Sequence, residues 1–136
     1  RSKQQVADIS RGGYILYEAS GDLDAIIIAT GSEVGLALDS ANLLSEKGIN
    51  ARVVSMPCAE IFSAQESTYR DAVLPPTLRA RVAVEAGHAD YWYKYVGLDG
   101  RVIGMTTFGE SAPGGKVMEH FGFTVDNVVN AVLVQL

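Results

Sequence analysis

The chain has 136 residues with a net charge of −5, and 48% of the residues are apolar and 20% charged, which fits one water-soluble domain. Its single cysteine, Cys58, excludes an internal disulfide and a four-cysteine metal site. Lys and Arg are not clustered and the longest apolar run is far below the ~20 residues of a membrane span, so we expect a cytoplasmic domain that binds neither nucleic acid nor membrane.

The first two predicted strands are joined by a short link. Residues 1–11 are expected to be a linker or tail from a preceding domain, and residues 12–136 to form the domain itself. Residues 13–17 read as a strand, and a few residues around Gly21 connect them to a second strand at 26–30. Because this link is too short for a parallel crossover, the two strands are predicted to pair antiparallel.

A βαβ unit follows. The β-branched run at residues 26–30 has no polar alternation, which is typical of a strand covered on both faces. Ser32 is a candidate cap for a helix from about residue 33 to residue 47, with Gly48 as its stop. A second buried strand is predicted at residues 51–55.

The remaining pattern alternates between helices and strands. The predictions are a capping box at 63–66 opening a short helix that ends before Leu74, strands at 81–85 and 101–105, a helix from Pro113 to Phe121, and a last helix capped by Thr124. The expected architecture is an α/β fold with a mixed five-stranded sheet, four strands parallel and one an antiparallel edge strand, and helices on both faces.

Two segments resemble catalytic motifs but do not match them. Ser111 sits in a near match to a nucleophile elbow, but Pro113 replaces the second glycine, and the downstream histidine and acid occur in the wrong order for a hydrolase. Residues 109–116 resemble a phosphate loop, yet the spacing is one residue too long and Val117 stands where Ser or Thr should bind magnesium. Neither motif predicts catalysis.

Two further groups are candidates for ligand binding. Gly31 and Ser32 precede a helix, where free amides and the helix dipole favour an anion, so they are a candidate anion or regulatory site. The alternative is that Ser32 only caps its helix. Glu85, His88 and Asp90 follow a strand and have ligand chemistry, but such trios are common by chance and we assign no metal site to them.

Aromatic side chains concentrate in one segment. Tyr91, Trp92, Tyr93 and Tyr95 fall within five residues, accompanied by one cation, Lys94. One lysine is too little positive charge for a base-stacking groove. Aromatics with polar tips suit a surface that meets another protein surface, so these four are a candidate domain or dimer interface. The alternative is that half of them pack into the domain's own core.

Several segments in fixed order resemble transketolase. They are Ile-Ala-Thr-Gly-Ser-Glu-Val at 28–34, Arg-Val-Val-Ser-Met-Pro at 52–57, Val-Ala-Val-Glu-Ala-Gly at 82–87, Ala-Asp-Tyr-Trp-Tyr-Lys-Tyr-Val-Gly at 89–97, Gly-Met-Thr-Thr-Phe-Gly-Glu-Ser-Ala-Pro at 104–113 and Phe-Gly-Phe-Thr-Val-Asp-Asn-Val-Val at 121–129. The resemblance covers nearly everything from Gly12 onward. It implies the third and last domain of that enzyme, a three-layer αβα sandwich.

The resemblance also implies an activity for the whole enzyme. Transketolase is a homodimer of the pentose phosphate pathway and the Calvin cycle. With thiamine diphosphate and Mg²⁺ it transfers a two-carbon ketol unit from a ketose phosphate to an aldose phosphate. The partners implied for this domain are the two upstream domains and the second subunit.

The family's cofactor motif, which opens with Gly-Asp-Gly and closes on an Asn, belongs to the upstream domains. The nearest strings here, Gly-Asp-Leu at 21–23 and Leu-Asp-Gly at 98–100, do not fit it. No catalytic, cofactor-binding or metal-binding residue is therefore carried onto this chain. The domain is expected to be structural, interfacial or regulatory and inactive alone. The alternative is a free-standing flavodoxin-like module that binds a small ligand or a nucleotide.

Overall fold

The five predicted strands form one sheet. The computed structural model describes residues 8–88, 93–97, 99–105 and 123–136, with the backbone alone at residues 32, 86–88, 93, 104 and 105. The strands are β1 (Tyr14–Tyr17), β2 (Ala25–Ala29), β3 (Ala51–Ser55), β4 (Arg81–His88) and β5 (Arg101–Met105). The helices are α1 (Val34–Glu46), α2 (Ala59–Ser63), α3 (Ser67–Val73), α4 (Tyr93–Val96) and α5 (Val125–Leu133), and 3-10 turns occur at Ile9–Arg11 and Gly31–Glu33.

The strand order is β1-β3-β2-β4-β5. Strands β2 to β5 run parallel to their neighbours, and β1 lies antiparallel at one edge. This confirms the predicted fold class and the predicted division into four parallel strands and one antiparallel edge strand. Strand β2 is central because its apolar side chains can be buried on both faces.

Alternate residues of β2 pack into two separate hydrophobic cores, one on each face of the sheet. Ile27 points to one face of the sheet, where it joins side chains of α1 and α5. Ile26 and Ile28 point to the other face, where they join side chains of α2, α3 and α4. The period of two along a strand therefore produces the predicted three layers. None of the helices in the described residues is both long and apolar enough to cross a membrane.

The predicted partner of the first strand is wrong. β1 pairs antiparallel with β3, from Tyr14 opposite Ser55 to Tyr17 opposite Val53, and not with β2. Both edges of β2 are already occupied by β3 and β4. Residues 18–24 need to span only two strand spacings, about 10 Å, so a short link can pass over β3 without forming a hairpin.

A buried arginine ties this edge of the sheet to the helical layer. Arg52 in β3 is 8% exposed and bonds both carboxylate oxygens of Glu18, with the shortest distance 2.7 Å from Nη2 to Oε2. Its Nη1 donates to the carbonyls of Ala72 and Val73, both at 2.8 Å. The last turn of α3 is thus capped by a cation, as its unpaired carbonyls require.

Two helix starts differ from their predictions. The capping box at residues 63–66 is wrong, because Ser63 ends α2 and α3 begins at Ser67 without a side-chain cap. The start of α1 is also displaced: a 3-10 turn intervenes, and the N-cap is Glu33 rather than Ser32. The prediction for α5 is confirmed, since Thr124 Oγ1 accepts from the backbone N–H of Asn127 at 3.2 Å.

Candidate functional site

The strand order creates a crevice at the carboxyl end of the parallel strands. The chain passes from β2 to β3 on one side of the sheet and then crosses to β4 on the other side of β2. The strand that follows β2 in sequence and the strand that follows β4 therefore lie on opposite sides of this pair. Ligands of open α/β sheets bind at such a topological switch point, so this crevice is the candidate functional site.

A threonine and a glutamate meet in the crevice. Because Ala29 lies opposite Val84 in the sheet, the next residues of the two chains, Thr30 and Glu85, face each other. Thr30 Oγ1 donates a hydrogen bond to Glu85 Oε2. Together with residues 56–60 they line a cavity of about 330 Å³ that includes the partly exposed thiol of Cys58.

The predicted anion site lies beside this cavity. Gly31 begins the 3-10 turn with φ +54°, a left-handed value that favours glycine, and there is open space where a Cβ would be. The N-cap position of α1, however, is occupied by Glu33, whose side chain is buried at 5% exposure. A carboxylate at this end of a helix already interacts with the helix dipole that would attract an external anion.

The charges in the crevice oppose an anionic ligand. Glu60 and Glu85 are the charged residues among the described residues that line the cavity, and both are acidic. A phosphate placed beside Gly31 and Ser32 would have to approach these carboxylates. The anion or regulatory site at Gly31 and Ser32 therefore stays a prediction, and the electrostatics do not favour it.

The described lining of the crevice offers few parts of a catalytic site. It includes no His or Lys beside Cys58, and the possible bases among the described lining residues are the carboxylates of Glu60 and Glu85. Of the trio considered for a metal, only Glu85 has a described side chain, and it is bonded to Thr30. No group of three metal-ligating side chains occurs within the described residues. Ser111 and residues 109–116 lie outside the described residues.

The aromatic segment is divided by the structure. Tyr95 is 7% exposed and belongs to the core between the sheet and α2. Its hydroxyl donates to the carbonyl of Ala59 at 3.2 Å and lies 2.6 Å from Ser63 Oγ. For Tyr95 the alternative of a core position is therefore observed. Tyr91 and Trp92 lie outside the described residues, as does the side chain of Tyr93, so the interface prediction for these three stays a prediction.

The comparisons with known proteins agree on one family. Residues 12–124 match the family model described as the transketolase-like TK C-terminal domain. The chain is 60% identical over 130 residues to Transketolase 2 of Vibrio vulnificus, and 58% identical over 129 residues to Transketolase 1 of Escherichia coli. Its structure is similar to that of transketolase from Leishmania mexicana, with a TM-score of 0.84 and 42% identity.

These similarities cover nearly all of this chain but little of the relatives. The matches include 96% of the chain for the Vibrio protein and 95% for the Escherichia protein, yet only 20% of each relative's length. For the Leishmania structure the shares are 96% and 18%. The chain therefore spans about a fifth of the length of the curated relatives that it matches.

Proposed function

Because this chain belongs to the transketolase C-terminal domain family, we propose that it forms the last domain of a transketolase. The observation that carries the proposal is the family match over residues 12–124. For the whole enzyme we propose the activity that the resemblance implies: transfer of a two-carbon ketol unit from a ketose phosphate to an aldose phosphate in the cytoplasm, with thiamine diphosphate and Mg²⁺. The pathways would be the pentose phosphate pathway or the Calvin cycle.

The cofactor and its metal are proposed to bind outside this chain. Mg²⁺ with a diphosphate needs carboxylate or amide oxygens around it, and the described residues hold no group of three metal-ligating side chains. The Gly-Asp-Gly opening of the cofactor motif does not occur anywhere in the sequence. We therefore assign neither the cofactor nor a catalytic step to the described residues of this chain.

The role proposed for the domain itself is structural and interfacial. Residues 1–11 would link it to the preceding domain, since the family match begins at residue 12. Tyr91, Trp92 and Tyr93 would contact the upstream domains or the second subunit of a homodimer. Support comes from the candidate site, where the described lining holds no His or Lys and the Glu85 carboxylate is bonded to Thr30.

The alternative of a free-standing nucleotide-binding module rests on the crevice at the switch point. The fold places a cavity there, as it does in flavodoxin-like proteins. Two acidic residues, Glu60 and Glu85, line this cavity, and they would repel the phosphates of a nucleotide. We therefore favour the transketolase domain.

The proposal is tested with three proteins. They are this chain, the full-length protein that contains it, and a shortened form of the full-length protein that ends just before residue 12 of this chain and so lacks the domain. Calorimetric titration with thiamine diphosphate and Mg²⁺, and a ketol-transfer assay, are run on each. We expect no saturable binding by the chain alone, and binding with turnover by the full-length protein. Sedimentation of the truncated protein shows whether the domain supports the dimer. Saturable micromolar cofactor binding by the chain alone would contradict the proposal.

A further inference from the structure

A second cavity has the opposite charge from the crevice. It has a volume of about 360 Å³ and lies between α3, α4 and the first residue of β4. Its charged lining residues are Arg70, Arg81 and Lys94, with one carboxylate, Asp71. Three cations against one anion is a local excess of positive charge on a chain whose net charge is −5. The volume falls in the range of about 300–1,000 Å³ that is usual for small-molecule sites.

Arg81 is held rigidly at the base of this cavity. Its Nε donates to the carbonyl of Leu78 at 2.9 Å, Nη1 to the carbonyl of Tyr95 at 2.7 Å, and Nη2 to the carbonyl of Pro75 at 2.6 Å. A guanidinium has five N–H donors in a fixed plane. One N–H on each terminal nitrogen therefore remains without an acceptor in the part of the chain that the structure describes.

The charge of Arg81 is not neutralised by a described carboxylate. The ion pairs among the described residues join Arg11 to Asp8, Arg52 to Glu18 and Arg79 to Asp99, and none involves Arg81 or Arg70. Burial lowers the pKa of Arg81, because the charged form loses solvation. Three carbonyl dipoles fix the side chain, but a nearby negative charge would stabilise it further.

Hydroxyl groups lie at the same cavity. The Ser63 and Tyr95 oxygens are 2.6 Å apart, and both residues line it. Ser63 is exposed, so its hydroxyl can bond a ligand. The cavity thus combines a fixed guanidinium, two rim cations from different helices and a hydroxyl, which is a donor set that suits the several oxygens of a phosphate group.

We propose that this cavity binds a small phosphate-bearing anion, either inorganic phosphate or a phosphomonoester. Arg81 supplies the fixed donors at its base, and Arg70 and Lys94 neutralise the remaining charge at its rim. The inference concerns binding by this chain itself. It does not depend on the transketolase activity proposed above, because it is read from binding and not from turnover.

In the test, the 136-residue chain is titrated with inorganic phosphate at constant ionic strength, and binding is monitored by the NMR shifts of the backbone amides. We expect saturable shifts at Ser63, Lys94 and Tyr95, and none at Gly31. Glycerol phosphate is the phosphomonoester arm, and acetate is the carboxylate arm. Tighter binding of glycerol phosphate than of inorganic phosphate would identify an organic phosphate as the ligand, and the reverse would identify the free ion.

The variants separate binding from folding. Replacing Arg81 would also remove the bonds between β4 and α4, so the rim cations are changed instead. Arg70→Gln and Lys94→Gln should each weaken phosphate binding by about two- to fivefold, the usual range for one partly exposed charge. Arg101→Gln, which removes a positive charge outside this cavity, should leave it unchanged. Asp71→Asn should tighten binding, a gain that a merely damaged fold cannot produce.

Three results would overturn the proposal. The first is an absence of saturable shifts at the cavity. The second is shifts confined to Gly31 and its neighbours, which would place the anion at the start of α1. The third is acetate binding as tightly as phosphate, which would identify the cavity as a dock for an acidic side chain of another protein segment.

Discussion

Replacing Arg52 with Met tests how β1 and α3 are joined to the sheet. Met keeps much of the length and volume of the arginine stem, so the change in stability reports the polar contacts. The substitution removes the bonds from Arg52 to Glu18 and to the carbonyls of Ala72 and Val73. The free energy of unfolding should fall, because the carbonyls at the end of α3 lose their donor.

The size of the expected stability loss depends on how exposed each partner of Arg52 is. The Glu18 side chain is 46% exposed, so water can replace the arginine and the ion pair contributes about 1 kcal/mol or less. The carbonyl of Val73 is bonded by Arg52 in a buried setting, and leaving such a group unpaired costs about 1–3 kcal/mol. We expect a total loss of about 1–4 kcal/mol for Arg52→Met.

Urea unfolding of the chain, followed by circular dichroism, measures this loss. The matched control is Glu18→Gln, which keeps an acceptor for Arg52 and leaves both carbonyl bonds intact. It should cost about 1 kcal/mol or less. If Glu18→Gln costs as much as Arg52→Met, the ion pair and not the helix cap is the main contribution. A loss under about 0.5 kcal/mol for Arg52→Met would refute the reasoning altogether.

Two other predictions concern the cores and the aromatic segment. Ile27→Ala should lower the free energy of unfolding by about 3–4 kcal/mol, because Ile27 is fully buried in the central strand. The control Ile61→Ala, at a residue that is 46% exposed, should change it by about 0.5 kcal/mol or less. Urea unfolding measures both variants, and equal effects would contradict the core assignment. Tyr95→Ala should destabilise this chain by about 3 kcal/mol or more. Trp92→Ala should barely change the melting temperature of this chain, but it should weaken dimerisation of the full-length protein, as measured by sedimentation. A large loss of stability in both variants would make Trp92 a core residue.

Two of the parallel strands were the most predictable part of the fold. The bounds predicted for β3 and β5, residues 51–55 and 101–105, are those observed. Short β-branched runs that end at a turn leave few alternatives, and in β3 burial on both faces also removes the polar alternation. The helix cap at Thr124 was equally local, because a threonine side chain reaches the amide three residues ahead.

Features set by distant residues could not be predicted. The antiparallel partner of β1 depends on which edge of the sheet is free after β2, β3 and β4 have paired, and no local pattern records that. The capping box at residues 63–66 failed for a similar reason. Ser63 has the correct side chain for a cap, but in the fold its hydroxyl lies beside that of Tyr95.

Residues of only one of the two cavities could be identified as candidates from the sequence. The sequence indicates Gly31 as a candidate because it precedes a predicted helix, where an anion can bind, and Glu85 because it belongs to a trio with metal-ligand chemistry after a predicted strand. It does not indicate Arg70, Arg81 and Lys94 as a group, because they are spread along the chain and come together only when α3, β4 and α4 pack. A clustering of charge that arises from packing has no signature in sequence spacing.

The distribution of charge indicates how this domain departs from nucleotide-binding proteins with similar sheets. Such proteins place phosphates at the carboxyl end of the strands, but here Glu60 and Glu85 line that cavity. The cations instead surround Arg81, at the amino end of β4. A fold determines where a crevice forms, whereas side chains determine which charge it accepts. Any phosphate that this chain binds should therefore be directed away from the switch point, since the described lining there has two carboxylates and no cation, whereas the other cavity has three cations and one carboxylate.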